Sequence, residues 1–258
     1  MGPDARLSPL SGRPALCRRT VPALWWAALL LLAWDGSGAD LALTRLFGNA
    51  QGFAWRDSAW ASQWLHDGGR AMAWLLMASL VLAAWRAQPH EPAATPGHVM
   101  IGPDNSSAAQ PSRHERWQWL AVMLLCMLLV PALKRFSATS CPWDLKEFGG
   151  VAQYVSHWRL FVGMGVGDGG SGRCFPSGHA VAAFGFFGQY FLWRAHNPQR
   201  ARRWLYAVLA VGALFSAAQL VRGAHYLSHS LWSAWLCWAL CSVAAWSQRT
   251  MPGLLIRH

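Results

Sequence analysis

The chain has 258 residues, of which 54% are hydrophobic and only 13% charged, with 18 tryptophans and a formal net charge of +11. That composition excludes a disordered chain and an ordinary water-soluble enzyme, and it fits one membrane-embedded domain. The charge does not make the chain a nucleic-acid binder: its arginines gather in the tails and in segments 86–116 and 194–203, where they set orientation across a bilayer.

Residues 1–20 read as a polar cytosolic tail and residues 21–258 as a single membrane domain. Residues 21–34 are strongly apolar and predict a first span, extended toward residue 46 across Asp35-Gly36-Ser37-Gly38. The alternative is a cleaved signal peptide, because Arg18 and Arg19 precede the stretch and Ser37, Gly38 and Ala39 follow it. Residues 35–68 form an outer segment. Stretches 69–85, 117–133, 178–193, 204–221 and 230–246 each approach the ~20 residues that a bilayer requires. The expected fold is all-α and polytopic, with six transmembrane helices, the last four bundled around a catalytic site. Between the spans lie a Pro-, Ala- and His-rich linker (86–116), a long outer loop (134–177), a basic inner turn (194–203) and a short outer turn (222–229). Tryptophans near the predicted helix ends, among them Trp34, Trp85, Trp119, Trp193 and Trp232, read as an interfacial belt.

This topology brings three segments to one non-cytosolic face, each at a helix end. A helix beginning near Ser177 has unpaired N–H groups that bind phosphate. Ser177 is a good N-cap that adds a hydroxyl, and Gly178 lets a ligand approach the backbone. His179, at the rim, is placed to protonate a leaving oxygen. His225 and His229 share a helical face, with Arg222 one turn earlier. A neutral imidazole there can attack phosphorus, provided another group holds its second nitrogen. Lys134 and Arg135 leave a span at the same face and supply cations for phosphate oxygens. A zinc site built from His179, His225 and His229 competes with this reading. No His-Glu-x-x-His pattern accompanies it and Lys134 is a poor neighbour for a metal, so no metal and no cofactor is expected. Among the cysteines, Cys17 falls in the cytosol and Cys126, Cys237 and Cys241 fall in spans, as small buried residues. Only Cys141 and Cys174 face the oxidising side, where a disulfide would tie the lysine loop to the phosphate turn.

These residues resemble the type 2 phosphatidic acid phosphatase superfamily, whose pattern reads K-x-x-x-x-x-x-R-P, then P-S-G-H, then S-R-x-x-x-x-x-H-x-x-x-D. The middle motif matches as Pro176-Ser177-Gly178-His179. The first matches at Lys134 and Pro142, with Cys141 in the arginine position. In the third, His225 aligns with the nucleophile, Gln219 takes the arginine position and His229 the aspartate position. The motif core runs from 134 to 229. The resemblance implies His225 as nucleophile and His179 as general acid, with Lys134, Ser177 and Gly178 holding phosphate. Arg222, Arg173 and Arg135, in that order, are the candidates to replace the missing arginines, and His229 is expected to hold the His225 ring.

The implied function is that of an integral lipid phosphatase. It would hydrolyse a phosphate monoester or diphosphate lipid through a phosphohistidine, at the periplasmic face of a bacterial inner membrane. A lipid phosphotransferase drawing on lipid A or undecaprenyl diphosphate is the alternative, as is a phosphate-lipid binding or transport protein that lacks turnover. Further along the outer face, His66 and Asp67 are expected to line the entrance and Arg70 to meet a headgroup. The glycine-rich run 165–172 reads as a lid or linker, beside Trp158 and Phe161.

Overall fold

The computed structural model describes residues 15–88, 110–158 and 167–250, without the side chains of residues 15–20, 66, 249 and 250. Phe161, the start of the glycine-rich run, most of the linker and the side chains of Cys17 and His66 therefore lie outside the described residues.

Helix α1 (Ala15–Ser37) runs through Pro22, and a turn at Gly38 leads into α2 (Ala39–Thr44). The first apolar stretch is thus a packed helix. The Trp235 indole donates to the Leu24 carbonyl at 3.0 Å, and Ala28 packs with Phe175 and Trp232. A short antiparallel hairpin follows, β1 (Gly48–Asn49) and β2 (Gly52–Phe53), with Gly48 opposite Phe53. Phe53 joins Leu145, Phe148, Ala152 and Tyr226 in a small outer cluster. Gly223 touches this cluster with φ 70°, where a Cβ would collide with the Phe53 ring.

A π-helical segment, Trp60–Gly68, feeds α3 (Gly69–Arg86). Helix α4 (Arg113–Phe136) opens with a capping box: Glu115 N donates to Ser112 Oγ at 3.2 Å, and Ser112 N to Glu115 Oε2 at 2.8 Å. It closes with Lys134 and Arg135 in the last turn, the favourable end of the helix dipole for a cation. Two 3₁₀ turns, Pro142–Asp144 and Lys146–Phe148, lie in the outer loop. Then come α5 (Val181–Phe184), α6 (Phe187–Trp193), α7 (Pro198–Val221) and α8 (Leu227–Thr250). Asn197 caps α7 by accepting from Arg200 N at 2.9 Å, with Pro198 at the first helical position.

The main core joins Trp119, Met123, Cys126 and Val130 of α4 to Phe184, Phe187 and Phe191 of α5 and α6, and to Cys237 and Cys241 of α8. The span expected over 178–193 is instead two short helices. At Gly188 a Cβ would sit 2.6 Å from Met123 Cγ, so α6 lies against α4 at a separation that only glycine permits.

Among the described residues, three stretches are long and apolar enough to cross a membrane: Trp60–Arg86, Arg113–Phe136 and Pro198–Val221. Val21–Ser37 and Val181–Trp193 are apolar but shorter. Helix α8 has 24 residues, and its Trp and Ser residues dilute its apolarity. The tryptophan belt needs one correction. Trp119, Trp193 and Trp232 are buried in the bundle and do not face an interface. The Trp193 ring carries the Arg200 guanidinium 3.7 Å above its centroid.

Candidate active site

The ends of α4 and α7 and the start of α8 lie together with the turn before α5. The phosphate-turn motif is locked to the second histidine motif by backbone. Ser177 N donates to the His229 carbonyl at 3.0 Å, and Ser233 Oγ donates to the Ser177 carbonyl at 2.9 Å. Ser177 is fully buried, and its hydroxyl accepts from Ala180 N at 3.4 Å. Helix α5 itself begins only at Val181 and is four residues long. The feature suited to phosphate is therefore the turn at Gly178 and His179 and not the dipole of a long helix. Lys134 leans over that turn: a Cβ on Gly178 would lie 3.8 Å from Lys134 Cδ. The absent side chain keeps the backbone open beside a cation. The charge of Arg70, at the start of α3, also acts on Lys134. The sequence offered Arg70 only as a headgroup contact.

His179 is 4% exposed, and its Nε2 lies 3.0 Å from the Leu65 carbonyl. A carbonyl only accepts, so Nε2 carries a proton in this arrangement. The ring leans on Phe215 at 5.0 Å. His225 is 5% exposed; its backbone N–H is held by the Gln219 carbonyl at 3.2 Å. Its Nδ1 lies 3.4 Å from the sulfur of Cys174. His229 is fully buried and donates from Nδ1 to the Cys174 carbonyl at 3.0 Å. The two imidazoles are 5.8 Å apart between centroids, so His229 addresses Cys174 and not the His225 ring. Around His229 stand His157 at 5.2 Å, Phe175 at 5.2 Å and Tyr226 at 5.1 Å.

Cys141 and Cys174 form a disulfide, which joins the loop after α4 to the turn before α5. The same two loops share further bonds. Arg173 N donates to the Ser137 carbonyl at 2.7 Å, and the Cys174 N to that of Thr139 at 2.9 Å. Asp168 accepts from Ser140 N at 2.6 Å and from Ser140 Oγ at 2.8 Å. Donor atoms of Cys141, Cys174 and His225 lie within 4.8 Å of one another. The two sulfurs are bonded to each other, so this trio does not offer three metal ligands.

The candidate cations separate. Arg173 is exposed, with a left-handed backbone at φ 59°. Arg135 is also exposed. Arg222 is 8% exposed and faces the 56–61 segment: Nε donates to the Arg56 carbonyl at 3.1 Å and Nη1 to the Ala61 carbonyl at 3.4 Å. Its guanidinium also lies 5.7 Å from the Trp143 ring centre. Burial pulls the Arg222 guanidinium below the usual arginine range, while the charges of Asp57 and Asp67 push it back. Gln219 is buried, and its amide nitrogen has no hydrogen-bond partner among the described residues. The sequence placed His66 and Asp67 of the Trp60–Gly68 segment at the entrance but did not reveal what its main chain holds. Its Ala61 and Leu65 carbonyls hold Arg222 and His179, and carbonyls leave no trace in side-chain patterns.

Residues 116–251 match the family model of the PAP2 superfamily, and the chain belongs to that superfamily. The match contains Lys134, the Pro176–His179 turn, His225 and His229. No curated protein and no solved structure matches the chain. Membership places the chain among membrane proteins of phosphatase or phosphotransferase type that act on lipid phosphates.

Proposed function

We propose that the chain is a lipid phosphatase that works through a phosphohistidine on His225. The observation that carries this reading is the lock between the two motifs: Ser177 N on the His229 carbonyl, with Lys134 lying over Gly178. Phosphate bound at that turn meets a cation on one side and the His225 turn on the other. In the first step His225 Nε2 donates its lone pair to phosphorus. The P–O bond to the lipid breaks, and His179, entering the step as an imidazolium, passes the Nε2 proton parked on the Leu65 carbonyl to the leaving oxygen and is left neutral with its proton on Nδ1. In the second step water attacks phosphorus, His179 takes the water proton, the P–N bond breaks and inorganic phosphate leaves. Lys134 and the turn backbone hold the equatorial oxygens throughout. Arg173 and Arg70 stand at the rim as additional cations.

An apolar groove lined by Leu24, Leu31, Leu209, Leu231 and Trp235 runs between α1, α7 and α8 and suits a fatty or isoprenoid chain. The reading includes six spans, with the site at the periplasmic face of a bacterial inner membrane. The test is release of phosphate by purified protein from phosphatidic acid, phosphatidylglycerol phosphate, undecaprenyl diphosphate and lipid A, with acid-labile ³²P trapped on the protein. Trapped label that disappears in His225→Ala is the expected result; label that persists in that variant overturns the assignment. A lipid acceptor in place of water would appear as phosphorylated lipid and not as free phosphate. A binding protein without turnover would trap no label.

A further inference from the structure

The aspartate position of the family pattern holds His229, yet His229 gives its Nδ1 proton to the Cys174 carbonyl. The atom that faces His225 Nδ1 is the Cys174 sulfur, at 3.4 Å. That sulfur also lies 3.1 Å from the Ala224 carbonyl oxygen and is bonded to Cys141. Cys174 therefore touches both histidines of the second motif, one with its sulfur and one with its backbone.

We propose that the Cys141–Cys174 disulfide selects the reactive tautomer of His225, and that its reduction switches the nucleophile off. This rests on the reading of His225 given above. A disulfide sulfur has lone pairs and no proton, so against Nδ1 it can only accept. It favours the imidazole with its proton on Nδ1 and the lone pair on Nε2, the form that attacks phosphorus. A dithiol passes two electrons and two protons to the disulfide and closes to its own cyclic disulfide, leaving two thiols. The Cys174 thiol then has a proton to give. Turned toward Nδ1 and away from the Ala224 carbonyl, it either donates S–H there, which puts the ring proton on Nε2, or transfers that proton and leaves an imidazolium with N–H at both positions. Both outcomes remove the lone pair from Nε2. The bond is well placed for such control, since its loops run from the last turn of α4, with Lys134, on one side and into the Pro176–His179 turn on the other.

The decisive measurement is the ¹⁵N spectrum of histidine-labelled full-length protein in micelles, with the His225 signals assigned by their loss in His225→Ala. The oxidised protein is expected to show a protonated Nδ1 and a bare Nε2. After dithiol treatment Nε2 becomes protonated. An unchanged His225 pattern on reduction overturns the proposal.

A second arm compares Cys141→Ser, which leaves the Cys174 thiol, with the double variant Cys141→Ala, Cys174→Ala, which leaves no sulfur. A histidine held in the wrong tautomer loses several decades of rate, so Cys141→Ser is expected to lose about 10²-fold or more in phosphate release. The double variant should lose markedly less. Equal losses in the two, with equal melting temperatures, would make the disulfide a clamp only and overturn the tautomer role. If oxidised wild-type protein releases no phosphate from any lipid, the proposed function fails, while the labelled spectrum still decides this inference.

Discussion

Lys134 and Arg222 look like equivalent cations in the sequence, and their surroundings separate them. Lys134 lies over the phosphate turn, whereas Arg222 directs its donors to the Arg56 and Ala61 carbonyls. Lys134→Ala is therefore expected to lower kcat by about 10²–10³-fold, the effect of removing one donor aimed at developing charge. Arg222→Ala should act first on stability, with a loss of about 1.5–3 kcal/mol for each charged hydrogen bond to a carbonyl and a smaller change in kcat. Steady-state kinetics and thermal unfolding of the two variants in one detergent separate the cases; a larger kcat loss in Arg222→Ala reverses the assignment. His229 is a second case in which position misleads. The family pattern makes aspartate its natural substitute. The structure shows a buried Nδ1 that donates to a carbonyl, and a carboxylate there would face the Cys174 oxygen with nothing to give. His229→Asp should destabilise the fold by about 3–5 kcal/mol, as an unpaired buried charge does, and should melt below His229→Asn, which keeps a donor. The motif residues were legible in the sequence because they are side chains at fixed spacing. The partners of His229 and Arg222 were not, because those partners are main-chain carbonyls brought in from remote segments.

At the scale of elements, α3, α4 and α7 were legible because their apolar windows are long, whereas the caps at Ser112 and Asn197, which start α4 and α7 ahead of the expected spans, were not read. The break between α5 and α6 was not, since it follows from the close approach to α4 at Gly188 and not from any local breaker. Nor did hydropathy reveal what α1 does for the site. Its Asp35 accepts from the Trp158 indole at 2.7 Å and the Trp232 indole at 2.8 Å, and lies 3.3 Å from His157 Nε2. Asp40, just beyond, accepts from Ser228 N at 3.1 Å and from the Trp34 indole at 2.9 Å. Two carboxylates from the first segment thus fasten the start of α8, next to His229. Asp35→Ala leaves the buried Trp232 and half-buried Trp158 indole N–H groups without their acceptor and removes the carboxylate beside His157, and should cost about 3–5 kcal/mol. Asp35→Asn keeps one accepting oxygen and should cost less. Thermal unfolding of both checks this, and equal, negligible shifts would show that α1 is fastened elsewhere.

At the scale of the molecule, the proposed chemistry requires Lys134, His179 and His225 to face one aqueous compartment, and the bundle sets which segments must then face the other. The outer loop carries the exposed Val151, while the turn before α7 and its first residues carry the exposed Arg202. At that opposite end Arg113 lies over Trp85 at 5.7 Å and Arg200 over the buried Trp193 at 3.7 Å, positive charge that fits the cytosolic side of the proposed topology. Among the described residues the free cysteines Cys126, Cys237 and Cys241 are buried in the core and add little background to a labelling experiment, and Cys17, outside them, is replaced by serine in each labelling variant. Val151→Cys should react with an impermeant maleimide in intact cells, whereas Arg202→Cys should react only after the membrane is opened. Labelling of Arg202→Cys alone in intact cells would turn the site toward the cytosol. The six-span topology would then lose its orientation, and the disulfide would face a reducing compartment in which it could not serve the nucleophile.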